Sequence, residues 1–238
     1  MSATYEDTSV IIACFNEEQT IEKCIRAVAE NVPGAEILVA VGGVDRTLMI
    51  AEEVSKELSN VVAFRNVNDR GKGHAIKVSV ARAKGRFMAQ FDADLQFFAE
   101  DLPALLAPVR EGWADVVAGS RFLDGRKHEA YKAIYYRDAG NKLLGAFVSA
   151  LAGQRLTDVT AGMKAWTREA IEQIAFRDDR YSYEAELLVR AVREKLRIQE
   201  VPVAYASRAH GNSMHRNNLH LARAGFVILC KSFAARFD

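Results

Sequence analysis

What most constrains this chain is a rhythm of short, almost wholly apolar runs of strand length, each followed by a segment with helical spacing. The runs are residues 9–14 (SVIIAC), 36–41 (EILVAV), 61–64, 87–91 (FMAQF) and 115–118. After the first, Asn16 with Gln19 three positions on has capping-box spacing, and Ile21, Cys24, Ile25 and Val28 recur at helical intervals. Pro33-Gly34 ends that helix. Gly42-Gly43 turns the chain after the second run, and Asp45 or Thr47 is placed to cap a helix to about residue 58. Further helices are expected over 74–83 and, entered through Pro103, over 102–109. Continuous apolar strands alternating with helices predict an α/β fold: a mostly parallel central sheet covered on both faces, in a Rossmann-like sandwich. Such sheets bind ligands beyond the carboxyl ends of their strands, here just after residues 14, 41, 66, 91 and 119.

Beyond residue 125 the rhythm weakens. The spacing predicts a long helix over 131–151, a strand over 162–166, a helix over 183–194 and a strand over 198–203. No linker divides the chain, so residues 1–238 are expected to form one domain. Lys and Arg number 32 against 31 Asp and Glu, which argues against a nucleic-acid partner. Cys14, Cys24 and Cys230 are too sparse for a disulfide framework or a thiolate metal site. With no signal-peptide pattern and no run of about 18 apolar residues, the expectation is a cytoplasmic protein, at most peripheral at the inner face of a membrane. A homo-oligomer is compatible with this.

Three groups of residues fall at the expected edge. Asp92-Ala93-Asp94-Leu95-Gln96 follows the strand FMAQF, and two carboxylates two residues apart suit one hard cation, Mg2+ or Mn2+, that keeps phosphate oxygens in its shell. A solvated acidic turn has the same sequence. In Asn68-Asp69-Arg70-Gly71-Lys72-Gly73-His74, two glycines, two cations and a following helix start suit an anion such as a diphosphate, although the phosphate-loop spacing is absent. A plain basic turn is the alternative. Arg121, Arg137 and Arg208 are arginines whose planar forks suit phosphate, or simply solvent.

Taken in order, Phe15-Asn16-Glu17-Glu18, Arg-Gly-Lys-Gly-His-Ala, Asp-Ala-Asp-Leu-Gln, Gly-Ser-Arg, Thr157-Asp158, Ala161-Gly162-Met163-Lys164, Tyr183-Glu184, Pro202 and Arg208-x-x-Gly211-x-Ser213 resemble family 2 glycosyltransferases of the GT-A fold. The similarity is greatest to dolichol-phosphate mannose synthase and related polyprenyl-phosphate glycosyltransferases, over roughly residues 8–216. It implies a nucleotide-sugar-binding half, about 1–120, and an acceptor-facing half, about 121–215. Ala13, Phe15, Glu17 and Val41 would line the donor nucleotide, GDP- or UDP-linked. Lys72, Asp92, Ala93, Asp94, Arg208 and Ser213 would surround its diphosphate. Asp92, Asp94 and Gln96 would hold the metal, making Asp94, Arg121 and Arg137 the catalytic set. Arg121, Arg137 and Asn141 would receive the acceptor's phosphate, and Asp158 and Glu184 would orient sugar hydroxyls. The activity implied is inverting transfer of a hexose, mannose or glucose, to a polyprenyl or dolichyl phosphate. A soluble or glycan acceptor, or a silent nucleotide-sugar-binding module, are the other readings.

The chain departs from the family pattern where the nucleoside would lie. Relatives carry Asp-Asp-Gly-Ser after the second strand; here Val41-Gly42-Gly43-Val44-Asp45 is one residue shorter and lacks both acids. Ala13 replaces a proline, Asn141 a frequent serine, and Met214 a lysine. A dinucleotide dehydrogenase is a poor competitor, since no G-x-G-x-x-G follows the first strand. At the carboxyl end, over 216–238, Leu219, Ala222, Phe226, Leu229, Cys230, Phe233 and Phe237 form one helical stripe among Arg216, Arg223, Lys231 and Arg236. That amphipathic pattern suits either a membrane surface or packing on protein.

Overall fold

A computed structural model describes residues 4–123, 135–207 and 218–237. Seven strands form one sheet: β1 (Thr8–Phe15), β2 (Glu36–Gly42), β3 (Val61–Arg65), β4 (Phe87–Asp92), β5 (Val116–Ser120), β6 (Lys164–Thr167) and β7 (Ile198–Pro202), in the order β3-β2-β1-β4-β6-β5-β7. All neighbours are parallel except β6, which runs antiparallel to both β4 and β5. Its direction places the segment entering it at the edge where the other strands end.

The apolar runs are continuous because the sheet is covered on both sides. In β1, Val10, Ile12 and Cys14 belong to one core and Ile11 to the other; in β4, Phe87, Ala89 and Phe91 oppose Met88 in the same way. One core lies under α1 (Ile21–Asn31), α2 (Thr47–Glu57) and α4 (Leu102–Arg110). The other lies under α3 (Lys72–Arg82), α5 (Tyr135–Ala152), α6 (Arg168–Ile174), α7 (Tyr183–Arg193) and α8 (Asn218–Phe237). Fully buried side chains such as Ile11, Met88 and Trp166 each contribute on the order of 1.5–3 kcal/mol.

One expectation is corrected. Asn16 does not cap α1, which starts at Ile21 after a turn in which the amides of Thr20 and Ile21 donate to the Glu17 carbonyl. Asn16 instead adopts a left-handed φ of 55° and turns its side chain to another loop. The helix α6 is an addition: Thr167 caps it, its Oγ1 accepting from the Ala170 amide at 3.1 Å. On α8, Ala224, Ile228, Ser232 and Ala235 face inward, whereas Phe226, Phe233 and Phe237 are exposed. Among the described residues, no helix is long and apolar enough to cross a membrane.

Candidate functional site

The carboxyl edge of the sheet gathers most of the residues singled out above. Asp92 ends β4 in register with Ala13 of β1, and Lys72 opens α3. The Lys72 ammonium lies 2.6 Å from Asp92 Oδ1 and 2.6 Å from Glu184 Oε1 on α7, joining residues 112 apart in sequence. Burial works to lower the Lys72 pKa, but the charges of Asp92 and Glu184 outweigh it and hold the lysine protonated, well above its ordinary value. Behind this trio, the buried Tyr183 hydroxyl donates to Gln90 Oε1 at 2.8 Å, and Gln90 Nε2 donates to the Gly162 carbonyl at 3.2 Å. Burial also pushes the tyrosine's pKa up.

Asp92 rests on Gly162. A Cβ built there would fall 1.8 Å from Asp92 Oδ2, so only glycine leaves room for the carboxylate in this place. Asp94 Oδ1 accepts from the Gln96 amide at 3.1 Å across Leu95, whose φ is 57°. Gln96 Nε2 donates to the Ala206 carbonyl at 3.2 Å, leaving Oε1 as the amide atom for a cation. The donor set is therefore all oxygen, and the ammonium beside Asp92 already occupies a position of positive charge. Both suit a hard divalent cation sharing its shell with phosphate. Among the described residues no three His, Cys, Asp or Glu side chains form a closed cation cage.

A second network lies alongside. The Arg121 guanidinium grips Asp158 bidentately, Nε to Oδ2 at 2.6 Å and Nη2 to Oδ1 at 2.7 Å, and Nη2 also donates to Thr160 Oγ1 at 2.9 Å. Burial would raise the Asp158 pKa, but Arg121 outweighs it and holds the carboxylate below its usual range. Glu200 of β7 supports the arrangement, accepting from the amides of Thr157 and Asp158 at 2.8 and 3.0 Å. Ser120 and Thr157 share a hydroxyl contact of 2.6 Å. Nothing in local spacing marks Glu200, which lies 42 residues from Asp158. Lys164, fully buried, donates to the Ala161 carbonyl; burial lowers its pKa, with Glu184 opposing.

The ends of β1 and β2, where the resemblance would place the donor nucleoside, are built differently from the family pattern. Asn16 Oδ1 accepts from the Val44 and Asp45 amides at 2.9 and 3.4 Å, and Gly43, with φ of 82°, leaves no space for a Cβ against it. Asp45 Oδ1 in turn accepts from Thr47 Oγ1 at 2.6 Å, whose oxygen accepts from the Glu17 amide at 2.8 Å. Val41 is buried and its carbonyl accepts from the Asn66 amide, so its side chain faces the core. Burial pushes the Cys14 thiol pKa up, and Glu17, Asp45 and Asp69 add to it, three carboxylates around the end of β1. Phe15 is 62% exposed, and Ala93 is buried. Asn141 is half-buried on α5. Arg208 and Ser213, like the Arg137 side chain, lie outside the described residues.

The description "Glycosyl transferase family 2" matches residues 9–175 of this chain. The chain belongs to that family. Among family members it is similar to a low-salt glycan biosynthesis hexosyltransferase of Haloferax volcanii, with 31% identity over 204 residues, 84% of this chain and 48% of that protein. It spans, then, only about half of that relative's length. A dolichyl-phosphate hexose transferase of the same organism is 30% identical over 207 residues, covering 87% of this chain and 86% of the relative. Among solved structures, glucosyl-3-phosphoglycerate synthase of Mycobacterium tuberculosis, crystallised with Mn2+, UDP and glucosyl-3-phosphoglycerate, superposes with a TM-score of 0.74 at 22% identity, over 96% of this chain and 79% of that one. The family 2 chain has the GT-A fold.

Proposed function

We propose that this family 2 protein transfers a hexose from a nucleoside-diphosphate sugar to a polyprenyl phosphate with inversion at the anomeric carbon. The observation that carries the reading is Asp92 at the end of β4, set on Gly162 with the Lys72 ammonium against it, a position that already holds positive charge beside the oxygen donors of Asp94 and Gln96. The polyprenyl phosphate acceptor is supported by relatives such as the dolichyl-phosphate hexose transferase.

Asp92 and Asp94, with Gln96 Oε1, would hold Mg2+ or Mn2+, which when bound supplies neutralising charge to the diphosphate. Lys72, at the start of α3, is within reach of the same phosphates, and the α3 N-terminus adds its dipole. The acceptor phosphate is already an anion, so its oxygen attacks the anomeric carbon without a general base. As that bond forms, the bond to the diphosphate oxygen breaks and its electron pair leaves with the nucleoside diphosphate. The chain's contribution is alignment and preorganised positive charge. Glu184 restrains Lys72, and the Arg121–Asp158 ion pair, braced by Glu200, fixes the loops that face the acceptor half, to which Arg137 and Asn141 on α5 belong. Asp158 is committed to Arg121, so of the two carboxylates expected to orient the sugar, Glu184 is the better placed. The outward Phe226, Phe233 and Phe237, with exposed Arg223 and Arg236, support contact with a lipid surface.

The test is incubation of the protein with Mn2+, radiolabelled GDP- and UDP-hexoses and a short polyprenyl phosphate. A labelled glycolipid is expected. Turnover only with phosphate-free acceptors, or none with any donor, would refute the proposal.

A further inference from the structure

The end of β2 carries no acid, yet a carboxylate is there. A Cβ built on Gly42 would fall 2.1 Å from Asp69 Oδ2 and 2.9 Å from Phe15 Cδ2. The Asp69 side chain, from the turn between β3 and α3, and the Phe15 ring thus converge on the space that a side chain at position 42 would fill. Gly42 has no left-handed φ, so its lack of a side chain serves this approach and no backbone need.

From this geometry, and resting on the reading that the site binds a nucleoside-diphosphate sugar, we infer that Asp69 is the residue that recognises the donor's base. Three observations shape the inference. Asp69 Oδ1 accepts two hydrogen bonds, from Asn66 Nδ2 and from the Gly71 amide, both at 2.9 Å. Among the described residues Oδ2 accepts none, so one carboxylate oxygen is anchored and the other is presented. Asn66, only 3% exposed, makes the anchoring bond while its own buried Oδ1 has no partner. The Asn66 amide is therefore turned so that its Nδ2 holds Asp69 Oδ1, while its oxygen makes no bond to protein. Phe15, 62% exposed on the same glycine, offers a flat apolar face to a planar ring.

A flat apolar face beside a single presented acceptor suits a heterocycle with an N–H on its edge. The anchoring bonds also set which one. A carboxylate oxygen has about two acceptor sites, and those of Oδ1 are filled. Guanine's adjacent N–H and NH2 donors would need both oxygens, whereas the single imide N–H of a uracil-type base needs only Oδ2. The donor is therefore a uridine- or thymidine-type nucleoside diphosphate sugar in preference to a guanosine one.

Calorimetric titration of the full chain in Mn2+ with UDP, dTDP, GDP and pyrophosphate tests this. UDP or dTDP should bind at least about tenfold more tightly than GDP, the scale of one hydrogen bond to a charged group. Asp69→Asn should collapse that preference while leaving Mn2+-dependent pyrophosphate binding unchanged, a pattern that general loss of the loop would not give. Gly42→Ala is the independent variant: its methyl displaces the Asp69 carboxylate and should collapse the preference with Asp69 intact. Tighter binding of GDP, or an unaltered preference in both variants, overturns the role of Asp69 and leaves the transferase reading standing. No binding of any nucleoside diphosphate by the wild type, with pyrophosphate still bound, overturns both.

Discussion

Replacing Gly162 by alanine adds one methyl group at the point where the site is tightest. The added Cβ would meet Asp92 Oδ2 at 1.8 Å, Cγ at 2.4 Å and Oδ1 at 2.9 Å, against ordinary contact from 3.4 Å. Gly162 is not among the left-handed residues, so alanine is tolerated by the backbone and the clash must be relieved by the carboxylate. Restoring contact from 1.8 to 3.4 Å requires Oδ2 to move by about 1.6 Å, which turns the carboxylate away from its place while Oδ1 stays near Lys72. A displacement near 1 Å at a reacting centre costs on the order of 100-fold in rate. Loss of orientation in a metal ligand costs roughly 10–100-fold in metal affinity. Calorimetry of nucleoside diphosphate with and without Mn2+ should therefore show Gly162→Ala losing most of the metal-dependent increment while its melting temperature changes little. In a double-mutant cycle with Asp92→Asn the two losses should not add, because both remove the same carboxylate. Wild-type metal dependence in folded Gly162→Ala, or full additivity in the cycle, would refute the reasoning.

Lys72→Met removes the cation between Asp92 and Glu184, so nucleotide-free protein should bind Mn2+ about tenfold more tightly through relieved charge competition, while pyrophosphate affinity falls; manganese titration followed by electron paramagnetic resonance reads both. Asp158→Asn leaves Arg121 without its charge partner and should cost about 3–5 kcal/mol in urea unfolding. Because Arg121 lowers the Asp158 pKa on folding, the unfolded state takes up the proton first as pH falls. The pair's stabilisation is thus full above the ordinary carboxylate value of 3.8 and is lost as pH drops through the lower folded value, so the variant's acid-stability curve should be flatter. Asn16→Ala removes the acceptor for the Val44 and Asp45 amides and should lower stability by about 1–2 kcal/mol, seen by thermal melting.

The strands and the edge on which the site lies were legible because burial imposes a period that local sequence carries. Val10, Ile12 and Cys14 opposite Ile11 is that period in its simplest form. The Asp-Ala-Asp segment and Lys72 were legible for a related reason, since each sits where an apolar run stops or a helix starts. Partnership was not legible. Arg121 reads as an arginine for a ligand, but its nearest anion is Asp158, 37 residues on. Asn16 satisfies every local rule for a cap, yet two unpaired amides of a loop 28 and 29 residues away compete for its oxygen and win. Glu200 and Asp69 are ordinary acids in sequence, and only the sheet order brings them to Thr157 and Gly42.

The reversed strand β6 bears on how the protein is made. Gly162, the residue beneath Asp92, enters with β6 and meets Gln90 across 72 residues of chain. On a ribosome, the strands β1 to β4 and both aspartates emerge well before that glycine does. A nascent chain that stops after β5 holds the complete acidic segment with nothing beneath it, and closing so long a loop comes late in folding. Affinity for a nucleoside diphosphate and metal would thus appear only when the second half has docked, which makes ligand binding itself a reporter of finished folding.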